Sequence, residues 1–266
     1  MSAGPVTARP GKMEVALRAR RDRGAKLLIP YVMAGMTDDW VAVLQAIAAA
    51  GADAIEVGLP FSDPMIDGPV VQAAGIAALE RGTTVHGALD RLGGAELGIP
   101  VVVMTYYNLV FRAGHRRFAA SLAAAGATGA LVPDLPLEEL GPWAAAADAG
   151  GIETVLMVAP STPPARVASI AARARGFLYA VTRMGVTGER AALGAAAQGV
   201  VERARAVSDL PICAGIGIST PDQARQVCEV ADGVVVGSAL VRRLLDGAGP
   251  DGAAEFVGEL RGALGP

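Results

Sequence analysis

Eight short apolar runs, each followed by a stretch long enough for a helix, constrain this sequence more than any other feature. They cover residues 27–33, 54–57, 100–105, 129–132, 154–158, 177–181, 211–214 and 233–236. Each run is continuously apolar rather than alternating, as parallel strands are when both faces are buried. Regular alternation of strand and helix selects an α/β protein built on a parallel sheet. Eight such units favour closing the sheet into a single (β/α)8, or TIM, barrel over leaving it open and doubly wound. Such a barrel commonly takes about 250 residues, and the chain has 266 with no Pro/Ser/Gly linker dividing it. We therefore expect one barrel domain over residues 13–266, with residues 1–12 as a flexible N-terminal tail.

The spacing predicts a helix over residues 37–50. Thr37 or Asp38 can cap its start, Val41, Leu44 and Ile47 line one stripe, and Gly51 ends it. Residues 13–23 form an extra amphipathic helix ahead of the first strand, expected to cover the bottom of the barrel.

Charge excludes some functions. The chain holds 23 basic and 26 acidic residues, and its arginines cluster only in pairs such as Arg116 and Arg117. A nucleic-acid binder needs a concentrated basic face, which is missing. Cys213 and Cys228 make no disulfide framework, and neither stands at metal-ligand spacing with His86 or His115, so no metal is expected. No run of 18 apolar residues exists, and residues 1–12 lack the apolar segment of a secretory signal. The expectation is a soluble, cytoplasmic chain with no membrane contact.

Barrels of this kind carry their chemistry at the C-terminal ends of the strands. The second run contains Glu56. Burial there raises a carboxyl pKa and makes proton exchange near neutrality possible; the plainer alternative is an ion pair with a basic neighbour. The loop that follows, Leu59-Pro-Phe-Ser-Asp-Pro-Met-Ile-Asp67-Gly-Pro69, carries two acids among three prolines. Proline restricts the backbone, so the loop can hold a carboxylate at low entropy cost. Asp67 before Gly68 also suits a simple turn. Together Glu56 and Asp67 can work as a pair, one exchanging protons while the other stays ionised.

The later strand ends point to a phosphate. Gly215-Ile-Gly-Ile-Ser219 follows the seventh run, and Gly237-Ser238 follows the eighth and leads straight into a helix. Backbone N–H groups of such loops, with a helix N-terminus behind them, bind a phosphate dianion without lysine, and the chain has only Lys12 and Lys26. Gly185-Val-Thr187-Gly188 after the sixth run suits a mobile lid. Residue types and spacing thus predict a small phosphorylated substrate and carboxylate acid–base chemistry.

Glu56-Val-Gly-Leu-Pro-Phe-Ser-Asp-Pro-Met-Ile-Asp67-Gly-Pro closely resembles the signature of the tryptophan synthase α subunit family. So do Thr105-Tyr-Tyr-Asn-Leu-Val-Phe111, Val132-Pro-Asp-Leu-Pro136, Arg183-Met-Gly-Val-Thr-Gly188, Gly215-Ile-Gly-Ile-Ser219 and Gly237-Ser238. The resemblance implies retro-aldol cleavage of indole-3-glycerol phosphate to indole and glyceraldehyde 3-phosphate. It implies Glu56 as proton carrier, Asp67 as acceptor of the indole N–H and Tyr179 as the residue orienting the site. Gly188, Gly217, Gly237 and Ser238 would hold the phosphate. Phe61, Met104, Leu131 and Ile216 would pack near the indole, and Thr187 would close the lid over Asp67. The resemblance also implies a pyridoxal-phosphate-dependent β subunit as partner in an α2β2 complex, contacted through Asp63, Asn108, Leu109 and Phe111. The pyridoxal phosphate would belong to that partner, and this chain would need no cofactor. Met36 stands where an acid is expected after the first strand. Ile216 stands where some members carry phenylalanine, and Met184 occupies a variable lid position. A stand-alone lyase releasing free indole, a weakly active activator of a β subunit and a sugar-phosphate isomerase are the alternatives.

Overall fold

The computed structural model describes residues 9–181, 190–215 and 217–265, with only the backbone described over 190–196. Most of the expected N-terminal tail, along with Arg183, Met184, Thr187, Gly188 and Ile216, lies outside the described residues.

All eight strands pair in parallel and in chain order, and β1 pairs with β8 to close the barrel. They are β1 (Leu27–Met33), β2 (Ile55–Gly58), β3 (Val101–Met104), β4 (Gly129–Leu131), β5 (Glu153–Val158), β6 (Leu178–Val181), β7 (Ile212–Gly215) and β8 (Gly233–Val236). Each falls within a residue of its apolar run at the N-terminal end. Every residue of β1, β2, β3, β4, β7 and β8 is buried, because barrel interior and helical layer cover opposite faces of each strand.

The helices bearing on the site are α1 (Lys12–Arg21), α2 (Trp40–Ala49), α3 (Pro69–Glu80), α4 (Val85–Gly93), α5 (Tyr107–Ala113), α6 (His115–Ala124), α7 (Gly141–Ala149), α8 (Pro164–Arg173), α9 (Arg190–Arg205), α10 (Pro221–Val227), α11 (Ser238–Leu245) and α12 (Gly249–Leu264). Helix α1 is the expected extra helix. Its Met13 and Leu17 are fully buried. Its first N–H groups are satisfied from across the fold: Met13 and Glu14 donate to the Glu153 carboxylate at 2.7 and 3.0 Å. A residue at the start of β5 therefore caps a helix some 140 residues earlier in the chain.

Helix α2 starts later than its spacing suggests. Its N-cap is Asp39, whose side chain makes no capping bond. Asp38 cannot cap, because its carboxylate pairs with Arg81. The predicted stop is correct: Gly51 adopts φ +103°, a backbone state that a side chain would strain.

Candidate active site

Glu56, Asp67, Met104, Leu131, Tyr179, Gly217, Gly237 and Ser238 line one cavity of about 320 Å³ at the C-terminal mouth of the barrel. Tyr31, Ile66, Gly68, Val71, Pro133, Met157 and Val235 complete its wall. Residues from β1 through β8 thus converge on one space because closure brings the first and last strands together.

Glu56 is only 4% exposed. Among the described residues no cation or hydrogen-bond donor reaches its carboxyl, so none of them makes the ion pair that is the plainer alternative. Burial pushes its pKa up to about 8, and the nearby charge of Asp67 adds to the rise. At neutral pH the group therefore keeps its proton. Asp67 is half-buried, and its pKa is also raised by burial, with a Tyr106 hydrogen bond acting the other way. Asp67 loses its proton first, and its charge helps keep Glu56 protonated. The two carboxyls are chemically distinct because one is sealed in the barrel and the other sits at its rim.

Tyr106 locates Asp67. Its hydroxyl accepts the backbone N–H groups of Ile66 and Asp67, both at 3.2 Å. Gln72 holds the Asp67 carbonyl at 2.8 Å from the first turns of α3. The loop after β2 is thus pinned on both sides of its acid. Phe61 does not line the cavity. Its ring stacks on Tyr106 with centroids 5.1 Å apart, so it supports the residue that holds Asp67. Tyr106 and Tyr31 are functional candidates that the residue-by-residue reading passed over. For Tyr31 the available signal was a hydroxyl-bearing side chain inside an apolar run, the same kind of signal that singled out Glu56; Tyr106 follows its run and carried no such signal.

Two glycines make room for two tyrosines. A Cβ at Gly58 would lie 2.0 Å from the Tyr31 hydroxyl, and one at Gly215 would lie 2.2 Å from that of Tyr179. Both rings can lie across the neighbouring strand ends only because those positions carry no side chain. Tyr179 sits close enough to Glu56 that its phenol pKa is raised by burial first and by Glu56 next.

On the opposite wall, Gly217 has φ +89°. Ser238 opens α11 directly after the N-cap Gly237. A loop glycine and a helix N-terminus therefore face the cavity together, the geometry that accepts an anion. Among the described residues no basic side chain lines the cavity, and no group of three metal-ligating side chains occurs. None of the described helices is long and apolar enough to cross a membrane.

The raised Glu56 pKa makes a stability prediction. In the unfolded chain Glu56 ionises near 4.5, whereas in the folded chain it holds its proton to about 8. Its contribution is fully present below the lower value and is lost as pH rises towards the higher one. Glu56→Gln cannot ionise, so its stability relative to the parent should rise by about 3 kcal/mol between pH 5.5 and 8 and then level off. Calorimetric unfolding of both chains across that range checks it; a difference independent of pH would contradict the burial of an ionisable Glu56.

The family model described as tryptophan synthase alpha chain matches residues 17–257. The tryptophan synthase alpha chain of Streptomyces avermitilis is 45% identical over 252 residues, covering 93% of this chain and 91% of the relative. That of Streptomyces coelicolor is 45% identical over 246 residues, covering 91% and 90%. A crystal structure of tryptophan synthase from M. tuberculosis superposes with a TM-score of 0.88 at 37% identity, covering 96% of this chain and 99% of the other. With the same fold, near-complete coverage and this level of identity, the chain belongs to the tryptophan synthase alpha chain family and is a lyase of the tryptophan synthase alpha reaction.

Proposed function

We propose that this cavity cleaves indole-3-glycerol phosphate, with the roles divided among the residues that line it. The observation that carries this is one cavity that holds the buried Glu56, with no cation among the described residues at its carboxyl, together with the rim carboxyl Asp67 and a wall of Gly217, Gly237 and Ser238 suited to an anion. The phosphate rests on that wall. The indole packs against Met104 and Leu131, and its N–H is accepted by Asp67. Glu56 gives its proton to the ring carbon that bears the side chain. Asp67 then faces a ring that has become cationic and stabilises it. The Glu56 carboxylate takes the proton of the hydroxyl on the carbon attached to the ring. The carbon–carbon bond breaks, its electron pair restores the aromatic ring, and the departing carbon becomes the aldehyde of glyceraldehyde 3-phosphate. Glu56 ends protonated, ready for another cycle. Tyr179 orients Glu56.

Incubating the purified chain with indole-3-glycerol phosphate should release indole and glyceraldehyde 3-phosphate in equal amounts; no indole would overturn the assignment. Ser238→Asp places a negative charge at the start of α11 and should raise KM about tenfold or more. Initial rates over a substrate series check this, and an unchanged KM would remove the phosphate from that wall.

We also infer a docking face for a pyridoxal-phosphate-dependent β subunit in an α2β2 complex. Asp63, Asn108 and Phe111 are exposed, and Leu109 anchors α5 against the core. Met65 is 91% exposed and Phe111 65%. Large apolar side chains bare to solvent on neighbouring segments suit a partner surface. In this reading the pyridoxal phosphate stays with the partner, and the barrel over residues 13–266 is one domain. The intact carboxylate pair favours an active lyase over an activator without chemistry.

A further inference from the structure

We infer that the Tyr31 hydroxyl is a substrate-positioning group that hydrogen-bonds the glycerol hydroxyls of the substrate; this rests on the function proposed above. Tyr31 is 5% exposed and lines the cavity. Among the described residues its hydroxyl has no oxygen or nitrogen partner; it meets only the Met33 thioether, at 4.0 Å. A buried hydroxyl held only by a weak thioether acceptor keeps most of its desolvation cost, which a bound ligand can relieve.

Its place in the barrel says which part of the ligand does so. Strand β1 lies between β8 and β2. Tyr31 is in register with Glu56 on one side. On the other, its Cβ comes within 3.6 Å of where a Gly237 Cβ would stand. The substrate must span the space between the phosphate wall and Glu56, and the glycerol chain is the part that makes that crossing. Gly58 leaves the room that lets the phenol tip reach the mouth. Burial, and then the charges of Asp67 and Glu56, raise the phenol pKa well above its usual value. The group is therefore a neutral hydroxyl, able both to donate and to accept.

The test compares Tyr31→Phe with the parent on two ligands: indole-3-glycerol phosphate, and an indole-3-alkyl phosphate of equal length lacking the glycerol hydroxyls. Tyr31→Phe should raise KM for the substrate about tenfold. It should leave the inhibition constant of the deoxy compound within about twofold, and the thermal midpoint unchanged or higher. Equal weakening of both ligands, or no change in either, would overturn the inference. So would a clear fall in thermal midpoint, which would reveal an internal partner for the hydroxyl. A parent chain that binds neither compound would instead overturn the function on which the inference rests.

Discussion

Glu56→Gln lowers kcat for indole release by about 10²–10⁴-fold, the usual worth of a positioned proton carrier. The substitution keeps the size and polarity of the side chain but leaves no proton to give and no carboxylate to receive one. The phosphate wall and the apolar lining are untouched, so KM should change little. Single-turnover assays beside the parent chain separate the two parameters. Near-normal turnover would remove Glu56 from the chemistry. The parent itself should lose kcat/KM as pH rises past about 8, because the reaction begins with Glu56 protonated and its pKa lies there. Glu56→Gln should show a low residual rate without that alkaline fall.

Asp67→Asn should cost about 10²–10³-fold in kcat, the range for losing one preorganised electrostatic contact to a charged transition state. Asparagine can still accept the indole N–H through its amide oxygen, so ground-state affinity survives. It cannot offset positive charge on the protonated ring. A second consequence separates this from simple loop damage. The Asp67 charge adds to the burial that raises the Glu56 pKa. Removing it should shift the alkaline fall in kcat/KM to lower pH, while burial alone still holds the Glu56 pKa above its ordinary value. Full pH–rate profiles of both chains decide the matter. An unshifted alkaline limb would mean that the two carboxyls do not interact, and an unchanged kcat would reject the role of Asp67.

Neither prediction requires Asp67 to move far, because its backbone is already held. Tyr106 grips the two N–H groups at Ile66 and Asp67, while Tyr107, the next residue, donates its own N–H to Asp134 at 2.9 Å. Consecutive residues at the start of α5 therefore tie together the loops after β2 and β4. The same helix bears Asn108, Leu109 and Phe111, so the catalytic rim and the proposed partner face share one support.

The strands were legible in the sequence because their signal is local. A parallel strand covered on both faces is a short continuous apolar run, and eight such runs at helical intervals leave few architectures. Glu56 was legible for the same reason, since an acid inside such a run has no ordinary solvated explanation. The glycine-rich ends of β7 and β8 announced an anion site through backbone chemistry that needs only glycine and a helix start.

Other features depend on which distant residues meet, and no local pattern carries that information. Asp38 looked like a helix cap until Arg81 claimed its carboxylate. Helix α1 is capped by Glu153 rather than by any neighbour in sequence. Phe61 stacks on Tyr106, a contact that no local pattern announces. Tyr31 read as one more apolar strand residue until closure of the barrel set it between Gly237 and Glu56. The sequence alone determined the barrel, its buried acid and the glycine-rich loops at its mouth, because hydrophobic period and glycine placement act over a few residues. Only the tertiary structure decided which side chains share the cavity and what their pKa values become, because strand register and burial are properties of the closed fold.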